Sequence, residues 1–282
     1  MSLKVLTLNI WHDQEPWSAR LPLLQKWIRR LDPDLIAFQE VLVGDGVDQV
    51  QEILSGEGDH ASGHSKYHRD YVAAMTLPDR KHLEFGNAIA SRWPIIDREE
   101  IRLPDRADWE TRAALAVDID SPFGTIGFTC THLHWQFNHG HVREKQVQLL
   151  TERAWDRRPR DGFPPIIAGD FNAEPASDEI RFMTGRHSLD GKSVAFLDAW
   201  EVAGDTSQIG EEGQGITWSN RNDYARVEFE PNRRIDYIFA GLPGRRGLGW
   251  VEACCVVCNE EEGGAWPTDH FGVYAEFRTD NT

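Results

Sequence analysis

The chain has 282 residues, of which 40% are hydrophobic and 27% charged, and its formal net charge is −16. That balance is ordinary for a soluble globular protein, and no run approaches the ~18 apolar residues that a membrane-crossing helix requires. An acidic excess of this size repels nucleic acid on average and so disfavours a nucleic-acid partner. Local basic clusters do occur, at RPR 158–160 and RRIDYIF 233–239.

Strand and helix signals alternate from the start. LKVLTLNI is apolar on both faces, as a buried strand should be. Trp17, Leu21, Leu24, Ile28 and Leu31 recur at helical spacing, and Asp32-Pro33 ends that helix. DLIAFQE reads as a second strand, VDQVQEIL as a short amphipathic helix and SGEGDHASGHSK as a polar, glycine-bearing loop. YVAAMTL and GNAIASR read as strands, with Pro94 closing the second. AALAVDID and TIGFTCTHL flank the turn SPFG as a hairpin. A helix from about His141 to Ala154 precedes the strand PPIIAGD, and the last strands are RRIDYIFA, WVEACCVVC and FGVYAEF. No repeat or long linker interrupts the series, so one α/β domain over 1–282 is expected, with two sheets and outer helices.

Cys130, Cys254, Cys255 and Cys258 include a C-x-x-C spacing, but no second ligand pair exists to complete a zinc site. ACCVVC reads as buried strand, where free cysteine packs as a small hydrophobe. Few cysteines favour a reducing, cytoplasmic setting. The chain opens on a strand rather than a signal peptide, although the leading MSL leaves a trimmed targeting segment open.

Six separated apolar runs end in polar residues: Asn9, Glu40, His132 with His134, Asp170 with Asn172, Asp236, and Asp269 with His270. Singly, each reads as a cap, a turn or a solvated strand end. Together they point to a site, because loops at strand ends are where scaffolds place catalytic groups. Glu40, Asp269 and Asn9 offer carboxylate and carbonyl oxygens suited to Mg²⁺ or Mn²⁺. Two histidines and further acids remain for proton transfer and phosphate contact. H-x-H at 132–134 continues as WQFN rather than as a metallo-β-lactamase site, GKS at 191–193 has Arg186 where a P-loop needs glycine, and no GxSxG is present.

The segments LTLNIW, FQEV, GNAIASRWPI, THLHW, AGDFNAEP, ITW, RIDYIF and TDHFGV, in that order, resemble the endonuclease/exonuclease/phosphatase superfamily from residue 6 to residue 273. The resemblance implies a four-layer α/β/β/α sandwich with two mostly antiparallel sheets flanked by helices. It further implies metal positions at Asn9, Glu40 and Asp269, and alignment of the attacking water by Asp170. Asn172 matches a phosphate ligand, and Asp236 the partner that orients His270. His132 matches a histidine used by deoxyribonucleases and sphingomyelinases, where it could protonate the leaving alkoxide.

Arg112 in WETRAAL and Asn87 in GNAIASR are candidate phosphate or substrate contacts, with surface and backbone-bonding roles as their plain alternatives. His134 shares a strand face with His132, and Trp135, Phe137 and Trp266 flank the histidines as candidate substrate contacts. With Glu260, Glu261 and Glu262 they suggest a site for a quaternary ammonium head group. The expected activity is a Mg²⁺- or Mn²⁺-dependent phosphoesterase, a diesterase, cutting a small or lipid-like phosphate ester. A nuclease of the same fold and a catalytically idle binding module are the rivals.

Overall fold

The computed structural model describes residues 2–55, 58–59, 64–106, 110–159, 162–207, 210 and 212–279. Its strands are β1 Ser2–Asn9, β2 Leu35–Gly44, β3 Val47–Asp48, β4 Gly58–Asp59, β5 His64–Ser65, β6 His68–Leu77, β7 Arg80–Ser91 and β8 Ile95–Arg102, followed by β9 Ala113–Ser121, β10 Gly124–His132, β11 Ile166–Asp170, β12 Phe196–Asp198, β13 Asp236–Gly241, β14 Val251–Val257 and β15 Gly272–Arg278. The two long helices are α1 Trp17–Leu31 and α2's larger counterpart later in the chain: α2 is Gln49–Leu54 and α3 is Gly140–Asp156. Asp32 stops α1 in a left-handed conformation, its N–H bonded to Ile28 O at 2.9 Å, and Pro33 cannot continue the helix. Part of the polar loop expected over 55–66 lies outside the described residues.

One large sheet runs β14-β15-β1-β2-β7-β6, with β3 beside β2, a second runs β12-β13-β11-β10-β9-β8, and β4 pairs with β5 in a separate two-stranded ribbon. Pairing is antiparallel except for β1 with β2 and β10 with β11. The inner faces meet in a core that includes Leu3, Val5, Leu35, Ala37, Phe128, Cys130, Ile166 and Ala168. On the outer faces α1 packs Leu24 and Ile28 over Leu6 and Leu8, and α3 packs Val147 and Leu150 over Ala114 and Ile167. The layers are therefore helix, sheet, sheet, helix, as expected. Each fully buried side chain of this kind contributes about 1.5–3 kcal/mol.

Three expectations need adjustment. β2 runs beyond Glu40 to Gly44, β7 begins at Arg80, and β8 forms where the sequence IIDREEIR gave no strand signal. The cysteines behave as expected: Cys130, Cys254 and Cys258 are buried, Cys255 is half-buried, and all four are free thiols.

Candidate active site

Side chains alternate across a strand, so the inter-sheet core is built from rows of every second residue. On β10 the row is Ile126, Phe128, Cys130 and then His132; on β11 it is Ile166, Ala168 and then Asp170. On β13 it runs inward from Asp236 to Ile238 and Ala240, and on β1 it passes Leu3, Val5 and Thr7 to reach Asn9. The rows fill the core with apolar atoms and end at one edge in polar ones. Strand register then aligns them, because His132 pairs with Asp170 and Asp170 pairs with Asp236. His132 Nε2 lies 3.3 Å from Asp170 Oδ2. From the opposite sheet, Asn9 Nδ2 donates to Asp170 Oδ2 and Glu40 Oε1, each at 3.2 Å.

Local backbone geometry makes these approaches possible. The β2–β7 register shifts between Phe38 and Val41, and Glu40 sits in that bulge with φ 59°. The bulge breaks the alternation and turns the carboxylate toward Asn9. Gly169 permits β11 to lie close to β10, since a Cβ there would stand 1.9 Å from Thr131 O. Asn172 has φ 50°, a conformation Asn tolerates, and its N–H donates to Asp170 Oδ1 at 2.8 Å. The loop before β15 is tied to β1 by Thr268, whose hydroxyl donates to Asn9 O at 2.8 Å. That tie delivers Asp269 and His270 to the same edge. His270 Nδ1 meets Asp236 Oδ2 at 2.9 Å, and its Nε2 lies 3.8 Å from Asp170 Oδ2. Trp218 packs edge-on against the His270 ring, 5.0 Å between centroids.

Burial pushes the Asp170 carboxyl up to about 7; the charge on Asp236 adds to this and His270 opposes it. Burial also raises Asp269 to about 7, with Glu40 adding and His270 opposing. His270 behaves differently. Burial works against its charged form, yet Asp236, Asp269 and Asp170 outweigh that cost and raise it to about 10. His132 is held well below the usual histidine value by burial, then by Arg112, His270 and His134. The pair therefore divides into one charged and one neutral imidazole at pH 7.

Asp170, Asp236 and His270 offer ligand atoms within 4.8 Å of one another, close enough for a cation. A protonated His270 has no lone pair at either nitrogen, so this trio is better described as a hydrogen-bonded proton network. Glu40 and Asp269 repel each other across this edge, and their carboxylate oxygens could serve a hard divalent ion that would offset the repulsion. Asn9 joins this set through its amide. Its carbonyl oxygen already accepts the Trp11 N–H at 3.0 Å, while Nδ2 links Glu40 to Asp170.

The remaining sequence-selected residues separate. Asn87 donates to Ala113 O at 2.7 Å and bridges the two sheets, which is the backbone-bonding alternative. His134 does not share a face with His132, because β10 ends at His132 and Leu133 N turns to Asp170 O at 2.9 Å. The His134 ring instead stacks on His139, 4.7 Å away, and the His134 backbone N–H donates to Gln146 Oε1 at 3.0 Å. Trp135 is exposed, with its indole N–H donating to Glu110 at 2.6 Å. Arg112 is only 5% exposed; its guanidinium bonds His132 Nδ1 at 2.9 Å and pairs with Glu110. The ammonium site does not form as expected. Trp266 is buried, Glu260 and Glu262 pair with Arg30 and Lys26 of α1, and Glu261 accepts a backbone N–H from Gly264. Sequence reasoning missed Glu110 and Thr268, which lie two residues and one residue from selected positions and act through them.

The sequence matches the family described as Endonuclease/Exonuclease/phosphatase family over residues 6–270. It is 31% identical over 182 residues to the uncharacterized protein YbhP of Escherichia coli strain K12, covering 61% of this chain and 67% of that one. Protein angel of Drosophila melanogaster is 24% identical over 239 residues, covering 79% of this chain and 61% of its own. The human Nocturnin catalytic domain with bound sulfate superposes with a TM-score of 0.71 at 20% identity, covering 99% of this chain and 94% of that chain. TDP2 of D. rerio complexed with a single-strand DNA product gives 0.72 at 20% identity, covering 99% of each.

Proposed function

Because this chain belongs to the endonuclease/exonuclease/phosphatase family, whose members are generally hydrolases of phosphoester bonds, we propose that it is a divalent-metal-dependent phosphodiesterase acting on a small or lipid-like phosphate ester. The observation that carries this reading is the buried Asp170 carboxylate, held between Asn9 and His132 with charged His270 beside it.

Asp170, raised to about 7, is poised to align a water and take its proton. The imidazolium of His270, fixed by Asp236, supplies a charged donor to a non-bridging phosphoryl oxygen. Asn172, whose backbone N–H steadies Asp170 and whose amide donates one N–H to Leu133 O at 3.2 Å, would use its second amide N–H to meet the phosphate. Mg²⁺ or Mn²⁺ held by Glu40, Asp269 and Asn9 would neutralise phosphoryl charge as it develops. His132 differs from the role implied by resemblance. As a neutral imidazole beside a guanidinium it lacks the second proton needed to protonate an alkoxide, so it serves as a hydrogen-bond donor.

A small substrate is favoured over nucleic acid by the net charge of −16 and by the fate of the 233–239 cluster. Arg234 is buried against Asp198 at 2.6 Å and Arg233 pairs with Glu230, so neither is free for a phosphate backbone. A cytoplasmic setting accords with the four free thiols. The test is hydrolysis of bis-p-nitrophenyl phosphate with Mg²⁺ or Mn²⁺, beside Asp170→Ala. Turnover should depend on metal, vanish on chelation and fall by about 10³-fold or more in the variant. Metal-independent turnover, or a variant as active as the parent, would defeat the proposal; preferential cutting of single-stranded DNA would move it to the nuclease reading.

A further inference from the structure

We propose that Arg112 is a positioning residue that locks His132 into the neutral tautomer bearing its proton on Nε2, so that this N–H points at Asp170 and the phosphate-binding edge. A guanidinium can only donate, so the His132 Nδ1 that it meets at 2.9 Å must present a lone pair. In a neutral imidazole the proton then resides on Nε2, which faces Asp170 Oδ2 at 3.3 Å. Glu110 fixes the guanidinium from its other side, and the same carboxylate receives the Trp135 indole N–H. Arg112 and Glu110 are both less than a tenth exposed, so the pair is built into the protein rather than displayed to solvent.

The charged and titratable groups around His132 are Arg112, Asp170, His270 and His134. Only Asp170 among them is an acid, and it meets Nε2 rather than Nδ1. A histidine meant to carry a second proton would be served by a carboxylate at Nδ1. Here a cation occupies that position, which fits a fixed donor.

The tautomer follows from hydrogen-bond geometry alone, whereas its catalytic value rests on the phosphoesterase reading. Two readouts separate them. In the full-length ¹⁵N-labelled protein, free of metal and substrate, two-bond ¹H–¹⁵N spectra should show His132 with a pyridine-type Nδ1 and a pyrrole-type Nε2; His132→Gln identifies the signals. Arg112→Met should convert them to an averaged or Nδ1-protonated pattern. With bis-p-nitrophenyl phosphate and metal, the same variant should lose kcat by about 10²-fold with KM unchanged. Arg112→Lys keeps one donor for Nδ1 and should restore the wild-type tautomer and part of kcat. An unchanged tautomer in Arg112→Met overturns the proposal. So does a raised KM with weakened inorganic phosphate binding and intact kcat, which would make Arg112 a direct phosphate ligand. If Arg112→Met fails to fold, the Lys variant decides, and an Nδ1-protonated His132 there refutes the lock. Wild-type protein with the stated tautomer but no metal-dependent turnover would sink the phosphoesterase reading alone.

Discussion

Replacing Gly169 by alanine isolates how the close approach of two neighbouring strands of one sheet sets the site. Gly169 pairs with Thr131 where β10 and β11 run parallel, and an added Cβ would stand 1.9 Å from Thr131 O. Carbon and carbonyl oxygen settle at about 3.3 Å, so the strands must part by roughly 1.4 Å at that point. Both partners are backbone or nearly so, and neither can swing aside as a flexible side chain would. Overpacking of this kind costs about 1–3 kcal/mol, and strained ladder hydrogen bonds add about 0.5–1.5 kcal/mol each, for a total of about 3–5 kcal/mol. At about 2–4 °C per kcal/mol for a large domain, the thermal midpoint should fall by about 10 °C. The next register pair is His132 with Asp170, so the same displacement reaches the chemistry and should cost about 10²-fold in kcat. Urea and thermal unfolding followed by tryptophan fluorescence, alongside diester hydrolysis, read both effects. A Gly169→Ala protein with a midpoint within about 2 °C of wild type and full kcat would refute the close-approach argument.

Asp236→Asn removes the chief partner of the His270 imidazolium. The folded value of about 10 lies above the ordinary 6.5, so the stability this pairing contributes is fully present below pH 6.5 and lost as pH rises through about 10. Urea midpoints of wild type and variant, measured in chelator, should therefore differ most in acid and converge near pH 10; a gap independent of pH would contradict the assignment. Arg20 is fully buried and donates to the carbonyls of Ile10, Trp11, His12, Gln14 and Pro267. Arg20→Met strands those acceptors and should cost about 3–5 kcal/mol by equilibrium unfolding; a loss under about 1 kcal/mol would show that water replaces the guanidinium freely.

The sandwich and most of the candidate site's edge are legible because period-two rows carry their own signal: an apolar strand that ends in Asp, Asn or His declares both its face and its exit. Asp170, Asp236, His132 and Asn9 were found this way. β8 was illegible because IIDREEIR is an edge strand with most of its side chains in solvent, so its charges mask the alternation. His134 was misplaced for a related reason. The i, i+2 rule holds only while the strand continues, and β10 stops at His132. Glu40 ends an apolar run and so stands out, but the bulge that turns its carboxylate toward Asn9 has no local sequence mark. The partner of Arg112 could not be read at all, since its contact with His132 depends on how β9 and β10 meet in space.

Arg20 bonds both to Ile10, just past the first strand, and to Pro267, just before the last. In the sheet itself β1 lies between β2 and β15, so β1 waits for a strand made more than 200 residues later. During synthesis, then, a nascent chain lacking β15 holds Asn9 and Glu40 without Asp269 or His270, and leaves one edge of β1 unpaired. A chain broken off ahead of Pro267 would lack the candidate residues Asp269 and His270 and would expose an open sheet edge along β1.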